Sequence, residues 1–128
     1  MIPIGPSILV ADDNDGTREA LDASLQGAGY VAVLARNGAD AIAKLQQNPV
    51  VEAVLADVVM PEMSGIDLAR QVKELRPDLP VILMTGYPDY VDAVTSIGAI
   101  PLLKPFRAST LIRVLQDCRD ATKPMDYL

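Results

Sequence analysis

Apolar residues along this chain form five short continuous runs, separated by longer segments in which apolar positions recur at helical spacing. A continuous apolar run bounded by turn residues is typical of a strand that is buried on both faces of a sheet. The five predicted strands lie at residues 7–11, 30–35, 54–57, 80–84 and 100–103. Because a helical segment follows each strand, the pattern predicts a parallel sheet with helices on both faces.

The segments between the runs predict five amphipathic helices. Their apolar residues recur every three to four positions, which keeps one face of a helix turned to the core. Asn37 and Ser64 stand where they can cap the second and third helices, and Gly29 is a stop signal for the first. The residues predicted to face the core are Leu21, Leu25 and Ala28 in the first helix, Ala41, Ile42 and Leu45 in the second, Ile66, Leu68, Ala69, Val72 and Leu75 in the third, Val91, Val94 and Ile97 in the fourth, and Leu111, Ile112, Val114 and Leu115 in the fifth.

The predicted fold class is α/β: a doubly wound, five-stranded parallel sheet of order 2-1-3-4-5, with flavodoxin-like (βα)5 topology. Residues 7–120 are expected to form this one domain, and residues 1–6 and 121–128 to be short tails or linkers. A chain of 128 residues is long enough to bury a core without disulfides or metal ions. Pro101 cannot donate a ladder hydrogen bond, which favours a place at a sheet edge or at the first residue of the fifth strand.

The composition excludes several classes of function. Histidine is absent, so the chain has no Ser-His-Asp or Cys-His catalysis and no histidine metal site. A net charge of −6 without a basic run argues against direct binding of nucleic acid or of an anionic membrane. No apolar segment approaches the roughly 20 residues of a membrane span, and no signal peptide is recognised. Cytoplasmic localisation is therefore expected, and the single Cys118 is expected to be inert there.

Polar residues follow four of the five predicted strands: Asp12 and Asp13 the first, Asp57 the third, Thr85 the fourth and Lys104 the fifth. The carboxyl ends of parallel strands share one edge, where open α/β sheets bind ligands. Three carboxylates there repel, by about 4 kcal/mol per pair at roughly 4 Å and an effective dielectric near 20. A hard divalent cation such as Mg²⁺ removes that repulsion and favours sites completed by phosphate. With a lysine charge and a hydroxyl donor, the set describes a site in which Asp57 attacks a phosphoryl group and holds it as an acyl phosphate.

Over about residues 7–120 the chain resembles the receiver domain of two-component response regulators. The matching motifs are Asp12-Asp13, Asp57 with Met60-Pro61 and Gly65, Thr85-Gly86, and Lys104-Pro105-Phe106. The resemblance implies Mg²⁺-dependent transfer of a phosphoryl group from a partner phosphohistidine, which switches the region of the fourth helix and controls a partner or an attached output. The implied partner is a sensor histidine kinase or a histidine phosphotransfer protein, and the chain is expected to be a monomer or weak dimer. Such a domain is not an enzyme in the usual sense, because it catalyses only its own phosphorylation and dephosphorylation.

The resemblance also implies a role for each motif residue. Asp57 is the implied phosphoacceptor, and Thr85 and Lys104 are implied to bind the phosphoryl oxygens and report phosphorylation. The implied ligands of Mg²⁺ are Asp12, Asp13, Asp57 and the backbone carbonyl of Val59. Within that set, Asp13 is implied to bind the ion directly and Asp12 largely through water.

The chain departs from the receiver pattern on the fifth strand. Many receivers carry an aromatic residue three positions before the lysine, whose rotamer follows the threonine, and Pro101 stands there in this chain. Tyr87 and Tyr90 are candidates to replace it, although each also fits an ordinary surface position. The sequence around Thr85 and Lys104 resembles receivers attached to hybrid sensor kinases. The resemblance further implies a cis peptide bond before Pro105.

Three alternative interpretations compete with a phosphorylated receiver. Each motif taken singly fits ordinary turn, cap or surface chemistry, and only their joint position after successive strands indicates a site. A haloacid-dehalogenase-type phosphatase would need a second acid where Val59 stands. A flavodoxin-like carrier of FMN would need a Ser/Thr/Gly-rich loop after the first strand, where this chain is acidic. A degenerate receiver would act as a protein-interaction module that is never phosphorylated.

Overall fold

The computed structural model describes residues 5–120, so most of the two predicted tails lies outside the described residues. The strands are β1 (Ser7–Ala11), β2 (Val31–Ala35), β3 (Val51–Asp57), β4 (Val81–Thr85) and β5 (Ile100–Leu103). The helices are α1 (Asp15–Gly27), α2 (Gly38–Gln47), α3 (Gly65–Leu75), α4 (Val91–Ser96) and α5 (Ala108–Arg119), with a 3₁₀ turn over Pro88–Tyr90 before α4.

The five strands form one parallel sheet in the order β2-β1-β3-β4-β5, which confirms the predicted fold class. The central strands β1, β3 and β4 are almost wholly buried, as their unbroken apolar runs require. β5 lies at the edge, with Pro101 opposite Leu83 of β4. The edge position explains how proline is accommodated in this strand, since one of its sides needs no ladder hydrogen bond.

The core has two halves, one on each face of the sheet. Successive strand residues point to opposite faces, so Leu9 belongs to one half while Ile8 and Val10 belong to the other. Helices α2, α3 and α4 cover the first face, and α1 and α5 cover the second. Within residues 5–120, no helix has both the length and the hydropathy needed to cross a membrane.

Two predicted core positions are wrong, and both lie at helix ends. Ala28 is exposed because it is the C-cap of α1, beyond the last turn that packs on the sheet. Leu75 is 47% exposed because it is the last residue of α3. Tyr30 lies outside β2, although its side chain is buried. The members of the predicted set that are only partly buried are Ile42, Ile66, Val91, Ile97, Ile112 and Val114.

The predicted caps of α2 and α3 are both present. The Asn37 side chain accepts a hydrogen bond from the Asp40 N–H at 2.8 Å, and the Ser64 hydroxyl accepts one from the Asp67 N–H at 3.1 Å. At the start of α2 the Asp40 side chain also reaches back past the cap, where its Oδ2 accepts from the N–H of Arg36, the residue before Asn37, at 3.1 Å. The bonds to the Asp40 and Asp67 N–H groups satisfy backbone donors that the helices themselves leave unpaired.

Asp40 is expected to make the stability of the domain depend on pH. Partial burial raises the pKa of Asp40, but the hydrogen bond from the Arg36 N–H and the ammonium of Lys44 lower it by more, so the pKa lies below its ordinary value. The stabilisation is therefore complete above the unfolded pKa of about 3.9 and is lost as the pH falls through the lower folded value. Asp40→Asn should reduce the free energy of unfolding by up to about 1 kcal/mol at neutral pH.

Urea unfolding of Asp40→Asn at neutral pH and in acid tests this expectation. Asp67→Asn is the matched control, because Asp67 occupies the same third position of α3 and its side chain is 56% exposed. The difference from wild type should shrink in acid for Asp40→Asn and stay small throughout for Asp67→Asn. A deficit in Asp40→Asn that persists below both pKa values would show that the carboxylate charge is not responsible.

Candidate functional site

The residues predicted to carry the chemistry lie together at the carboxyl edge of the sheet. Asp12 directly follows β1, Asp57 is the last residue of β3, and Lys104 directly follows β5. Thr85, predicted to follow the fourth strand, is the last residue of β4. Since β1, β3, β4 and β5 are consecutive neighbours in the sheet, four separate segments of the chain meet at one shallow rim.

Asp57 and Lys104 form the central contact of this rim. Lys104 Nζ donates to Asp57 Oδ2 at 2.6 Å, across 47 residues of sequence. The Val59 N–H donates to the other carboxylate oxygen, Oδ1, at 3.1 Å. The Asp57 side chain remains 15% exposed and the Lys104 side chain 33% exposed. The carboxylate is thus held in place by two donors while it remains open to solvent.

Asp12 is the buried acid of the site, with 1% of its surface exposed. Its Oδ1 accepts a hydrogen bond from the Asn14 N–H at 2.9 Å, and its Oδ2 is buried without a partner in the described part of the chain. Burial raises the pKa of Asp12; the Asn14 hydrogen bond offsets part of this rise, and the charges of Asp57 and Asp13 add to it. An unpaired buried carboxylate oxygen among like charges is a position that favours a cation.

The remaining predicted metal ligands, Asp13 and Val59, are exposed beside this centre. Among residues 5–120, no three acidic or cysteine side chains come close enough to hold an ion by themselves. In this structure Lys104 instead neutralises Asp57. The donor chemistry still suits Mg²⁺, which prefers oxygen ligands, keeps several waters and needs few protein groups. The unpaired Oδ2 of Asp12 agrees with that preference.

Thr85 is buried beside this centre, and its hydroxyl is used by the loop that follows β4. Its Oγ1 accepts a hydrogen bond from the Tyr87 N–H at 3.0 Å and donates a longer one to the Tyr87 carbonyl at 3.4 Å. The rings of Tyr87 and Tyr90 meet edge to face, with centroids 6.1 Å apart, and both are exposed. The hydroxyl therefore links the site directly to the turn that leads into α4.

The loop after β3 is fixed by close backbone packing. The Gly65 N–H donates to the Val58 carbonyl at 2.8 Å, and a Cβ on Gly65 would lie 2.9 Å from the Val58 Cα and closer still to the Asp57 carbonyl oxygen. Glu62 has a φ of 70°, in the left-handed region that non-glycine residues rarely adopt. The Lys104–Pro105 peptide bond is cis, which confirms that prediction.

Arg18 is a site residue that the sequence analysis missed. It is 9% exposed, its Nη1 donates to the Asp12 carbonyl at 2.7 Å, and its Nη2 pairs with Asp15. A buried guanidinium bonded to the backbone of Asp12 holds the acidic loop against α1. Asp15 and Arg18 are three residues apart, the spacing of an ordinary ion pair on the surface of a helix. The sequence therefore does not indicate that Arg18 is buried against Asp12.

Comparison with known proteins identifies, over nearly the whole chain, the receiver family that the sequence motifs resemble. Residues 8–116 match the family model described as the response regulator receiver domain. The response regulator receiver protein CpdR of Brucella abortus is 38% identical over 112 residues, which cover 85% of this chain and 92% of that protein. The transcriptional regulatory protein ZraR of Escherichia coli is 36% identical over 93% of this chain. This chain spans only 27% of the ZraR sequence.

Solved structures agree with this assignment. A response regulator receiver domain protein from Clostridium thermocellum superposes with a TM-score of 0.86 at 27% identity, covering 92% of this chain and 97% of that one. The response regulator TrrA of Thermotoga maritima, solved in complex with Mg²⁺ and BeF, has a TM-score of 0.82 at 31% identity, covering 88% and 98% of the two chains. From its sequence, its five-stranded sheet and these relatives, the chain belongs to the family of response regulator receiver domains of two-component signalling.

Proposed function

We propose that Asp57 accepts a phosphoryl group from a phosphohistidine of a sensor histidine kinase or of a histidine phosphotransfer protein. The observation that carries this proposal is the contact of Lys104 Nζ with Asp57 Oδ2 at 2.6 Å, on an open rim beside the buried Asp12. A carboxylate held by a cation and still reached by solvent is available as a nucleophile. Family membership supports the same role, since receiver domains act in two-component signalling.

In the proposed transfer an Asp57 oxygen forms a bond to phosphorus while the bond from phosphorus to the imidazole nitrogen of the donor breaks. The donor leaves as histidine, and Asp57 becomes an acyl phosphate. Lys104 already contacts the reacting carboxylate. Its flexible side chain can move its ammonium from the carboxylate to a phosphoryl oxygen as negative charge develops there. Preorganised charge of this kind stabilises the transferring group.

The proposed metal ion is Mg²⁺, held by Asp12, Asp13, Asp57 and the Val59 backbone carbonyl. When bound, it would neutralise charge on the phosphoryl oxygens. Asp12 would contribute its Oδ2, which has no hydrogen-bond partner in the described part of the chain. Asp13 would contribute a carboxylate oxygen, and because its side chain is exposed it is free to turn toward the ion. The structure of TrrA with Mg²⁺ and BeF supports this proposal by likeness.

The remaining parts of the proposal concern the setting of the domain. We propose that residues 7–120 form the receiver domain, with residues 1–6 and 121–128 as short tails or linkers, and that this domain is a cytoplasmic monomer or weak dimer that does not itself bind nucleic acid. Its catalysis would be confined to its own phosphorylation and dephosphorylation. The ZraR relatives are transcriptional regulators about four times as long as the matching region, so an attached or separate output is part of the proposal.

Incubation of the chain with acetyl phosphate tests the proposal, with intact mass as the readout. A single phosphoryl group should be incorporated when Mg²⁺ is present and very little when it is chelated. A degenerate receiver would stay unmodified under both conditions. Modification at several residues, or equal modification with and without Mg²⁺, would contradict the proposed site.

The unphosphorylated domain is expected to bind Mg²⁺ weakly, because the ion relieves repulsion among Asp12, Asp13 and Asp57. Asp13→Ala and Asp57→Ala should each weaken binding further, whereas Asp89→Ala, at an exposed acid of the turn before α4, should not. Titration calorimetry at neutral pH measures the Mg²⁺ affinity of the wild type and of the three variants. Unchanged affinity in both site variants would place the ion elsewhere.

Phosphorylation is expected to move the turn before α4 more than β5. To donate to a phosphoryl oxygen, the Thr85 hydroxyl must give up the bond that it donates to the Tyr87 carbonyl at 3.4 Å, and turning toward the site also strains the bond that it accepts from the Tyr87 N–H at 3.0 Å. Two charge-assisted hydrogen bonds of about 1.5–3 kcal/mol each nearly supply the roughly 5.5 kcal/mol that a full population shift needs. Pro101 offers no aromatic rotamer on β5, so the change should pass through the turn.

Amide exchange with and without beryllofluoride measures this movement. Residues 87–94 should change most, and the change should be reduced in Thr85→Ala. Changes confined to β5 and α5, with residues 87–94 unaffected, would contradict the proposed route.

A further inference from the structure

The buried guanidinium of Arg18 contacts the proposed metal site through the backbone. Its Nη1 donates to the carbonyl oxygen of Asp12 at 2.7 Å. Its Nη2 pairs with Asp15, whose side chain is 85% exposed. Solvent screening weakens an ion pair with so exposed a partner. The buried bond to the Asp12 carbonyl is therefore the contact through which Arg18 can act on the site.

The peptide unit between Asp12 and Asp13 joins two of the proposed ligands of Mg²⁺. Its carbonyl oxygen is the atom to which Arg18 donates. On the other side of the Asp12 Cα, the Asp12 N–H donates to the Ala35 carbonyl of β2 at 3.1 Å. Because a peptide unit is planar, fixing its carbonyl also limits the direction in which the chain continues to Asp13. One guanidinium thus restrains the backbone of both acids.

Arg18 occupies a position of α1 that packing alone would give to an apolar residue. The buried residues of α1 are Arg18, Leu21 and Leu25, which follow one another at the three- and four-residue spacing of a single helical stripe. Leu21 and Leu25 belong to the core on that face of the sheet. Burying a charged group costs free energy, and an apolar side chain would avoid that cost. What distinguishes arginine at this position is the directed bond that it donates to Asp12.

We propose that Arg18 is a positioning residue for Mg²⁺: by holding the peptide unit between Asp12 and Asp13, it keeps both acids in place for the ion. This role rests on the proposed function, since it requires that the two acids bind Mg²⁺. Removing a group that orients metal ligands commonly lowers metal affinity by roughly 10–100-fold. Arg18 acts through the backbone, so the lower end of that range is expected.

Arg18→Met tests this role, because methionine keeps an unbranched apolar side chain in the buried stripe and removes every donor. Titration calorimetry at neutral pH should show a Mg²⁺ affinity about tenfold below that of wild type. Arg113→Met is the control for charge, since Arg113 is an exposed arginine of α5. Ile8→Val, which shortens a buried side chain of β1, is the control for lost stability. Both controls should bind Mg²⁺ like wild type.

Two further measurements separate positioning from a merely structural role. In the presence of a chelator, the amides of Asp12 and Asn14 should exchange faster in Arg18→Met than in Ile8→Val, because these N–H groups belong to the restrained loop. With acetyl phosphate as donor, the Mg²⁺ concentration that gives half the maximal rate of phosphorylation should rise about tenfold in Arg18→Met. The rate at saturating Mg²⁺ should stay within about threefold of wild type, since the lost interaction acts on metal binding.

Equal Mg²⁺ affinity in Arg18→Met and Arg113→Met would overturn the proposal. So would a rate that falls at every Mg²⁺ concentration with an unchanged midpoint. If Arg18→Met fails to fold, Arg18→Lys decides: its ammonium keeps the charge but ends one bond short of the Nη1 position, so its Mg²⁺ affinity should be several-fold below wild type. Wild-type affinity in Arg18→Lys would then overturn the proposal.

The wild type separates this test from that of the proposed function. If wild type binds Mg²⁺ and is phosphorylated only in its presence, but the Arg18 variants match it, the positioning role alone fails. If wild type neither binds Mg²⁺ nor accepts a phosphoryl group, the proposed function fails, and the role of Arg18 fails with it.

Discussion

Asp57→Asn is expected to abolish stable phosphorylation while it leaves the fold intact. The amide has the shape of the carboxylate, and its single oxygen can keep one of the two hydrogen bonds that wild-type Asp57 accepts, from Lys104 Nζ at 2.6 Å and from the Val59 N–H at 3.1 Å. It lacks the anionic oxygen that attacks phosphorus, so no acyl phosphate can form. Intact mass after incubation with acetyl phosphate and Mg²⁺ measures the loss, which should leave at most a small fraction of modified protein.

Asp89→Asn is the control for this experiment, because Asp89 is an exposed acid of the turn that follows β4. It should incorporate phosphate like wild type. Asp13, which lies near Asp57, could accept a phosphoryl group poorly in its place. A full yield of phosphorylated Asp57→Asn would refute the assignment of the nucleophile.

Gly65→Ala, at the first residue of α3, is expected to destabilise the domain strongly. The new Cβ would lie 2.9 Å from the Val58 Cα and even nearer to the Asp57 carbonyl. Both neighbours are backbone atoms, which cannot rotate away as a side chain can, and Gly65 is buried. Such overpacking should cost about 3 kcal/mol or more, which lowers the Tm of a domain of this size by roughly 10 °C.

Gly86→Ala is the matched variant, because a Cβ there would have no heavy atom within 4 Å. Thermal unfolding followed by circular dichroism should show a large shift for Gly65→Ala and little shift for Gly86→Ala. Since Gly65 lies directly against Asp57, the stability of Gly65→Ala should be measured before its phosphorylation is interpreted. Similar Tm values for the two variants would show that the loop after β3 adjusts more easily than its packing indicates.

The elements that the sequence predicted best are those whose signal is local. Each buried strand is a continuous apolar run, and the acid or hydroxyl that ends the run marks the carboxyl edge of the sheet. Asp57 and Thr85 could be located in this way. The strand order was predicted as that of the doubly wound, flavodoxin-like fold class, and the place of Pro101 on the edge strand β5 agrees with it.

Features that depend on contacts between distant segments could not be predicted in the same way. Arg18 is buried because it reaches the Asp12 carbonyl, yet its spacing from Asp15 is that of an exposed helical pair. Leu75 fits the inner stripe of α3 but lies where the helix has already left the sheet. The hydrogen bonds that turn the Thr85 hydroxyl toward Tyr87 depend on the path of the following turn, which periodicity does not describe.

The most direct test of the account is to identify the residue that carries the phosphoryl group. Borohydride reduces an acyl phosphate of aspartate to homoserine, which peptide mapping by mass spectrometry can locate. After incubation with Mg²⁺ and a phosphoryl donor, we expect homoserine at position 57 and at no other acid, with the modification lost on treatment with hydroxylamine. Homoserine at another acid, or a phosphoryl group on serine or threonine that resists hydroxylamine, would contradict the account.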